Sequence, residues 1–244
     1  MMTLKPLNSV LEPNLDEPLQ LTLDLDRRKP VSDQIYTALR QAIVTLKLPP
    51  STPISENRIC RHIGVSRTPV REAIIRLAEE ELIDVFPQQG SFVSAIKVSK
   101  IRESHFTRKC LELGILSKLA EHWTPDLSVE ARKLLTHQER AFGSHDKELF
   151  HFHDEEFHKF FCQSIGFMGA WNTIQGAKAR VDRLHRLAAI EGRLPIVIDE
   201  HRAVIDALDR QDVSGATGAM DYHLDRILAL LDLIIDHNRE YFAE

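Results

Sequence analysis

The chain has 244 residues, is 43% hydrophobic and 27% charged, and carries a formal net charge of -5, which is ordinary globular composition and enough chain for one large domain or two smaller ones. No window approaches the roughly 18 uninterrupted apolar residues of a membrane span, and the N-terminal residues lack the charged-then-apolar order of a secretory signal, so a cytoplasmic protein with no membrane contact is expected. The negative balance argues mildly against nucleic-acid binding, and three widely spaced cysteines, Cys60, Cys110 and Cys162, exclude a disulfide framework and suggest buried thiols.

Residues 1 to 30 hold four prolines (Pro6, Pro13, Pro18 and Pro30) and no sustained period, which predicts a flexible tail. From Val31 to Leu46 the apolar residues Ile35, Leu39, Ala42, Ile43 and Leu46 recur at helical spacing until Pro49-Pro50 ends the segment. Ser55 is placed to cap a short helix with Ile59 and Ile63 facing inward, and Gly64 breaks it. Ser66 reads as the N-cap of the next helix, with Pro69 in its first turn and Val70, Ala73, Ile74 and Leu77 as its apolar stripe. Ser66, Arg67, Thr68 and Arg71 gather hydroxyls and positive charge at the end where the helix dipole is also positive, an arrangement that suits phosphate. Charge is local here: residues 31–76 hold seven cationic residues against three acidic ones. Two short helices joined by a Gly turn form a helix-turn-helix, and the β-rich runs Leu82–Phe86 and Ser91–Ala95 around Pro87-Gln88-Gln89-Gly90 predict a hairpin wing.

The stretch Gly64 to Ala73 with the Gly90 wing behind it resembles the winged helix-turn-helix of the GntR family of bacterial transcription regulators. The resemblance implies a homodimer on an inverted-repeat operator of double-stranded DNA, with Arg67 and Arg71 meeting bases or phosphates and the wing tip at Gln89 and Gly90 entering the minor groove. Arginine is the favoured bidentate reader of guanine in the major groove, while Ser66 and Thr68 suit phosphate. Two departures stand out: Gln89 occupies a wing position that is often basic, and Asn57 stands where some relatives place an arginine, with Arg58 and Arg61 nearby.

Beyond Lys97 the pattern is helical throughout, with six helices expected at roughly 99–122, 127–142, 146–164, 168–190, 195–209 and 213–241. The fold class expected is therefore mainly α, a winged helix-turn-helix over 31–96 followed by an all-helical bundle over 97–244. Polar residues interrupt apolar faces at informative places. Asp154 falls in the arc of Phe150, Phe157 and Phe161, with His158 one turn on, so the two side chains converge as metal ligands on a helix do. His201 sits among Val197, Ile198, Val204 and Ile205, and His223 among Ala219, Met220 and Ile227. Three imidazoles and a carboxylate from three helices suit a divalent metal, and zinc, nickel, manganese and iron are all compatible with that donor set. His151 and His153 are rival ligands on the same helix. Arg108 also lies on an apolar face, where it either pairs with Glu112 or offers a fork to a ligand carboxylate; Arg180 and His185 are further candidates for the same cavity.

This half resembles the FCD effector domain of FadR-type GntR regulators, with Arg108-x-x-x-Glu112, Asp154-x-x-x-His158, Glu200-His201 and His223 in the family's order. The resemblance implies a metal held by Asp154, His158, His201 and His223 and a small carboxylate metabolite as effector; Phe167 departs from an asparagine common after the glycine at this point. The function expected is a transcription regulator, most simply a repressor. The alternatives are a regulator whose metal is purely structural and a metal-dependent hydrolase with a DNA-binding appendage. The hydrolase lacks an evident general base, because Glu155 and Glu156 project away from the face of Asp154 and His158.

Overall fold

The computed structural model describes residues 23–187 and 193–243. The expected tail thus lies mostly outside the described residues, as does the end of the helix expected over 168–190. The chain divides into two compact units, one ending at Ala95 and the next beginning at Ile96.

In the first unit α1 (Val31–Val44) buries Ile35, Leu39, Ala42, Ile43 and Val44, the face that its sequence period marks. Helix α2 (Glu56–Ile63) is capped by the Ser55 side chain, which accepts from the Arg58 N–H. It ends where Gly64 takes a left-handed φ of 76° that a side chain would oppose, its N–H reaching the Cys60 carbonyl at 2.9 Å. Helix α3 (Arg67–Glu79) buries Val70, Ala73, Ile74 and Leu77. Ser66 is its N-cap, as expected, with extended backbone, and its exposed side chain makes no capping bond.

A three-stranded antiparallel sheet, in the order β1-β3-β2, completes this unit: β1 (Pro53–Ile54), β2 (Ile83–Phe86) and β3 (Gly90–Val93). The hairpin register pairs Phe86 with Gly90 and Ile83 with Val93. Two-residue β1 pairs Pro53 with Phe92 and is too short to leave a sequence period.

The second unit is helical: α4 (Val98–Ala120), α5 (Pro125–Gly143), α6 (Lys147–Ser164), α7 (Met168–Leu187), α8 (Arg193–Asp209), α9 (Val213–Ala229) and α10 (Leu231–His237), followed by a 3-10 turn at Arg239–Tyr241. Side chains of Thr124, Asp146 and Asp212 cap α5, α6 and α9. A Cβ on Gly215 would stand 2.1 Å from the Asp212 carboxylate, so a side chain there would require that flexible group to shift. The last helix, expected as one piece over 213–241, breaks at Leu230. The break turns Leu231 and Ile234 into a cluster with Ile96, Ile101, Val181 and Leu184, and the chain end then bridges to Ile96 through Phe242.

A larger core joins Leu116, Leu119, Phe157, Phe161, Trp171 and Met220. The expectation of three buried thiols holds only for Cys162, which burial pushes up to about 11. Cys60 is half-buried, and Cys110 is exposed because it faces outward on α4 beside Phe106. Among the described residues no helix is long and apolar enough to cross a membrane.

Candidate functional site

Two sites emerge, one in each unit. In the first, Ser66, Arg67, Thr68 and Arg71 are exposed on the opening turns of α3, Arg58 is half-buried on α2, and Gln89 and Gly90 are exposed at the hairpin tip. No acidic residue lies in the first turn of α3, so its unpaired N–H groups and arginines face solvent as one positive end. The cationic surplus is thinner than the residue count suggests. Arg76 pairs with Asp33 at 2.6 Å and lies over the Tyr36 ring, and Arg40 pairs with Glu80 at 3.0 Å. Among the described residues Arg61, Arg67 and Arg71 form no ion pair and remain available to an anionic partner. The wing tip Pro87-Gln88-Gln89-Gly90 carries no charge, while Val85 and Phe86 behind it are exposed apolar groups.

In the second unit the interior of the bundle holds His158 from α6, His201 from α8 and His223 from α9, all buried, each offering a ligand atom within 4.8 Å of the others. The orientation of the rings has a common plan. His158 Nδ1 meets Glu112 Oε2 at 2.6 Å, His201 Nδ1 meets the Gln138 amide oxygen at 3.1 Å, and His223 Nδ1 meets Glu200 Oε2 at 2.8 Å. With each Nδ1–H donated to an acceptor, the Nε2 lone pairs are left to converge. His201 and His223 bring their Nε2 atoms to 3.3 Å of each other, and His158 Nε2 is buried with no hydrogen-bond partner. Phe157 stacks on His201 at 4.1 Å between centroids and fixes its ring.

Asp154 stands beside them, its carboxylate 3.7 Å from His201 Nε2. Burial opposes its ionisation, while the Lys178 cation nearby helps to hold its carboxyl below the usual carboxylate range. Burial likewise keeps His201 and His223 below the ordinary histidine value, in the neutral form that binds a metal. An orphaned buried nitrogen, oriented neutral imidazoles and an ionised carboxylate fit a divalent ion; the donor set does not choose among zinc, nickel, manganese and iron.

A cavity opens against this cluster. Asp154 and His223 form part of its wall, with Arg108, His151, His185 and Arg193 as further polar residues. The rest is apolar: Phe150, Leu194, Val197, Ile227 and Leu230. Arg108 is 3% exposed and its Nε donates to Glu112 Oε1 at 2.5 Å, while its Nη2 has no partner among the described residues. One edge of the guanidinium thus pairs with Glu112, while another nitrogen is unspent. Burial opposes the Glu112 charge, yet Arg108 and His158 together hold its carboxyl well below the usual range. His185 lines the cavity with a buried, unpartnered Nε2. Burial, with Arg108 and Lys178 nearby, lowers its pKa well below the ordinary histidine value. Arg180 is not in the cavity wall and donates to the Ser104 hydroxyl instead. Of the rival ligands, His151 lines the cavity without joining the converging cluster, and His153 packs on His137.

Sequence reasoning missed the outer partners Gln138 and Glu200 and the bridging role of Glu112. It also missed Arg193, which grips Glu200 through both terminal nitrogens at 2.7 Å, and the buried Lys178, paired with Asp182 at 2.7 Å and Glu155 at 3.1 Å. Polar residues on inward positions were the available signal, but their partners lie on other helices. Glu155 is held by Lys178 and Glu156 by Lys159.

A winged helix-turn-helix in a chain whose second, helical unit surrounds a polar cavity defines a DNA-binding transcription regulator with a ligand-sensing domain. Residues 31–93 match the bacterial regulatory proteins of the gntR family, and residues 103–226 match the FCD domain. The chain belongs to the GntR family, in its FCD-containing, FadR-type branch. It is 39% identical over 210 residues to an HTH-type transcriptional regulator in an unstable DNA locus of Streptomyces ambofaciens, covering 86% of this chain and 88% of the relative. It is 33% identical over 221 residues to the HTH-type transcriptional repressor RspR of Escherichia coli K12, covering 90% and 97%. Its fold is that of E. coli McbR/YncC, with a TM-score of 0.71 at 22% identity over 83% of this chain and 97% of that one. These families and relatives are transcription regulators and not enzymes, which removes the hydrolase alternative.

Proposed function

We propose that this regulator is a homodimeric repressor whose grip on an inverted-repeat operator is loosened when a small organic acid binds in the helical domain beside a divalent metal. The organisation proposed is a tail over 1–30, a DNA-binding domain over 31–96 and an effector and dimerisation domain over 97–244. The single observation that carries the reading is the buried triad of His158, His201 and His223, with outward nitrogens tied down and inner nitrogens converging next to a cavity that holds an unspent Arg108 Nη2. Asp154, His158, His201 and His223 would hold the metal, which supplies an electrostatic anchor for an anion. Arg108 binds one oxygen of the acid through Nη2, and the Glu112 pairing keeps its guanidinium oriented. Arg67 and Arg71 read the major groove, with Ser66, Thr68 and Arg58 on phosphate and Gln89 and Gly90 at the minor groove. Acid binding alters operator affinity only insofar as it favours one arrangement of the DNA-binding domains, so acid and DNA oppose each other reciprocally. Elemental analysis of the purified protein beside His201→Ala and His223→Ala tests the metal: both variants are expected to lose it, and full stoichiometry in both would refute the site. The family relationship and the named repressor RspR support the direction of control.

A further inference from the structure

We infer that Ile75 is a base-reading residue of α3, packing on the C5-methyl group of a thymine in the operator. This rests on the proposed seat of α3 in the major groove and extends its reading of sequence beyond Arg67 and Arg71.

The six exposed positions of α3 are Arg67, Thr68, Arg71, Glu72, Ile75 and Glu79, and Ile75, 50% exposed, is the apolar one among them. With successive side chains turned by roughly 100° around a helix, Arg71 stands about 40° from Arg67, Ile75 about 80° and Thr68 about 100°. Glu79 and Glu72 follow at about 120° and 140°, while the buried Val70, Ala73, Ile74 and Leu77 occupy the other side. Ile75 therefore projects from the outward face between Arg71 and Thr68, on the side of the arginines. Along the axis it lies about 6 Å beyond Arg71, less than about two base-pair steps.

The second helix of a helix-turn-helix lies in the major groove. The base edges there present hydrogen-bond donors and acceptors, and the C5-methyl of thymine is their apolar feature. An isoleucine side chain has no hydrogen-bonding group, so over a polar edge it displaces water and returns nothing, whereas on the thymine methyl both surfaces leave water together. Local helix stability supplies no other reason for the residue, because a β-branched side chain is a poorer helix former than the arginine and glutamate residues around it.

The contact is tested one thymine at a time. A duplex is selected from a random-sequence pool with the full-length protein, and each of its thymines is replaced in turn by deoxyuridine, which removes the methyl group and keeps the Watson–Crick pair. Fluorescence anisotropy at fixed salt then compares the unaltered protein with Ile75→Ala, whose fold is checked by thermal melting. The expected result is a thymine at which deoxyuridine weakens binding of the unaltered protein about fourfold, the equivalent of one methyl group removed from water, and leaves binding of Ile75→Ala unchanged. A selected site without thymine, an unaltered protein indifferent to every deoxyuridine, or an equal loss in both proteins would overturn the contact. Equal weakening of every duplex by Ile75→Ala would also overturn it, placing the side chain against protein or sugar instead. A pool that enriches no sequence would overturn the seat of α3 on which the contact rests.

Discussion

The two units dispose of charge in opposite ways. On α3, Arg67 and Arg71 stand in water with no ion pair among the described residues, whereas in the helical unit Arg108, Glu112 and Lys178 are 3%, 5% and 3% exposed and each has an ionic partner. Exposed cations are inexpensive to keep and await an anionic partner supplied from outside. Buried charges cost several kcal/mol each unless paired; Arg108, Glu112 and Lys178 are paired, while Arg108 Nη2 and His185 Nε2 beside the cavity and His158 Nε2 in the cluster have no partner among the described residues. On the proposed function, the unspent groups in each unit mark what that unit would bind: phosphate and base edges for one, a metal and a small anion for the other.

The sharpest way to break this contrast is to remove a partner from the buried set. Glu112→Leu leaves Arg108 charged and unpaired in the core and is expected to cost about 3–5 kcal/mol of stability by denaturant titration; a loss under about 1 kcal/mol would show that the pair is solvated. Removing an exposed cation should do the reverse. Arg67→Ala is expected to leave stability nearly unchanged while weakening operator binding by roughly 1–3 kcal/mol and blurring base preference, measured by fluorescence anisotropy at fixed salt. Gln138→Leu, which removes the acceptor of His201 Nδ1, should lower metal affinity by about tenfold to a hundredfold in a competition titration; unchanged affinity would make the Gln138 contact incidental.

The smallest effect concerns His105, buried on α4 with Nε2 donating to the Leu224 carbonyl at 3.0 Å. Burial holds its pKa below 6.5 in the fold. The unfolded chain takes up that proton first as pH falls, so the contribution of His105 to stability is present above about 6.5 and lost below it. Melting temperatures at pH 8 and pH 5.5 should converge slightly in His105→Gln relative to the unaltered protein, and an equal pH dependence in both would exclude the effect.

Much of the fold was legible because its signals are local. Ser55, Gly64, Val70, Ala73, Ile74 and Leu77 announce two helices and a turn within some twenty residues, and Gly90 marks the hairpin. Asp154 and His158, one turn apart on an apolar face, and His201 and His223 on theirs, could be singled out by periodicity alone. What local pattern does not contain is the partner across a gap. Glu112, Gln138 and Glu200 come from three different helices to hold three rings, and no spacing in one helix reports that. The break at Leu230 was hidden for a related reason: its apolar residues continue a helical period, and only packing against Ile96 and Ile101 turns the chain. Cys110 likewise lies in a helical run whose outward face is set by neighbours on other helices.

The most direct measurement of the central claim is operator affinity of the full-length, metal-loaded protein, by fluorescence anisotropy at fixed salt, with and without a saturating acid identified by calorimetry. The expected result is weaker operator binding in the presence of the acid, with the affinity for the acid reduced by the same factor when operator is bound. An acid that saturates the site while leaving operator affinity unchanged would contradict it.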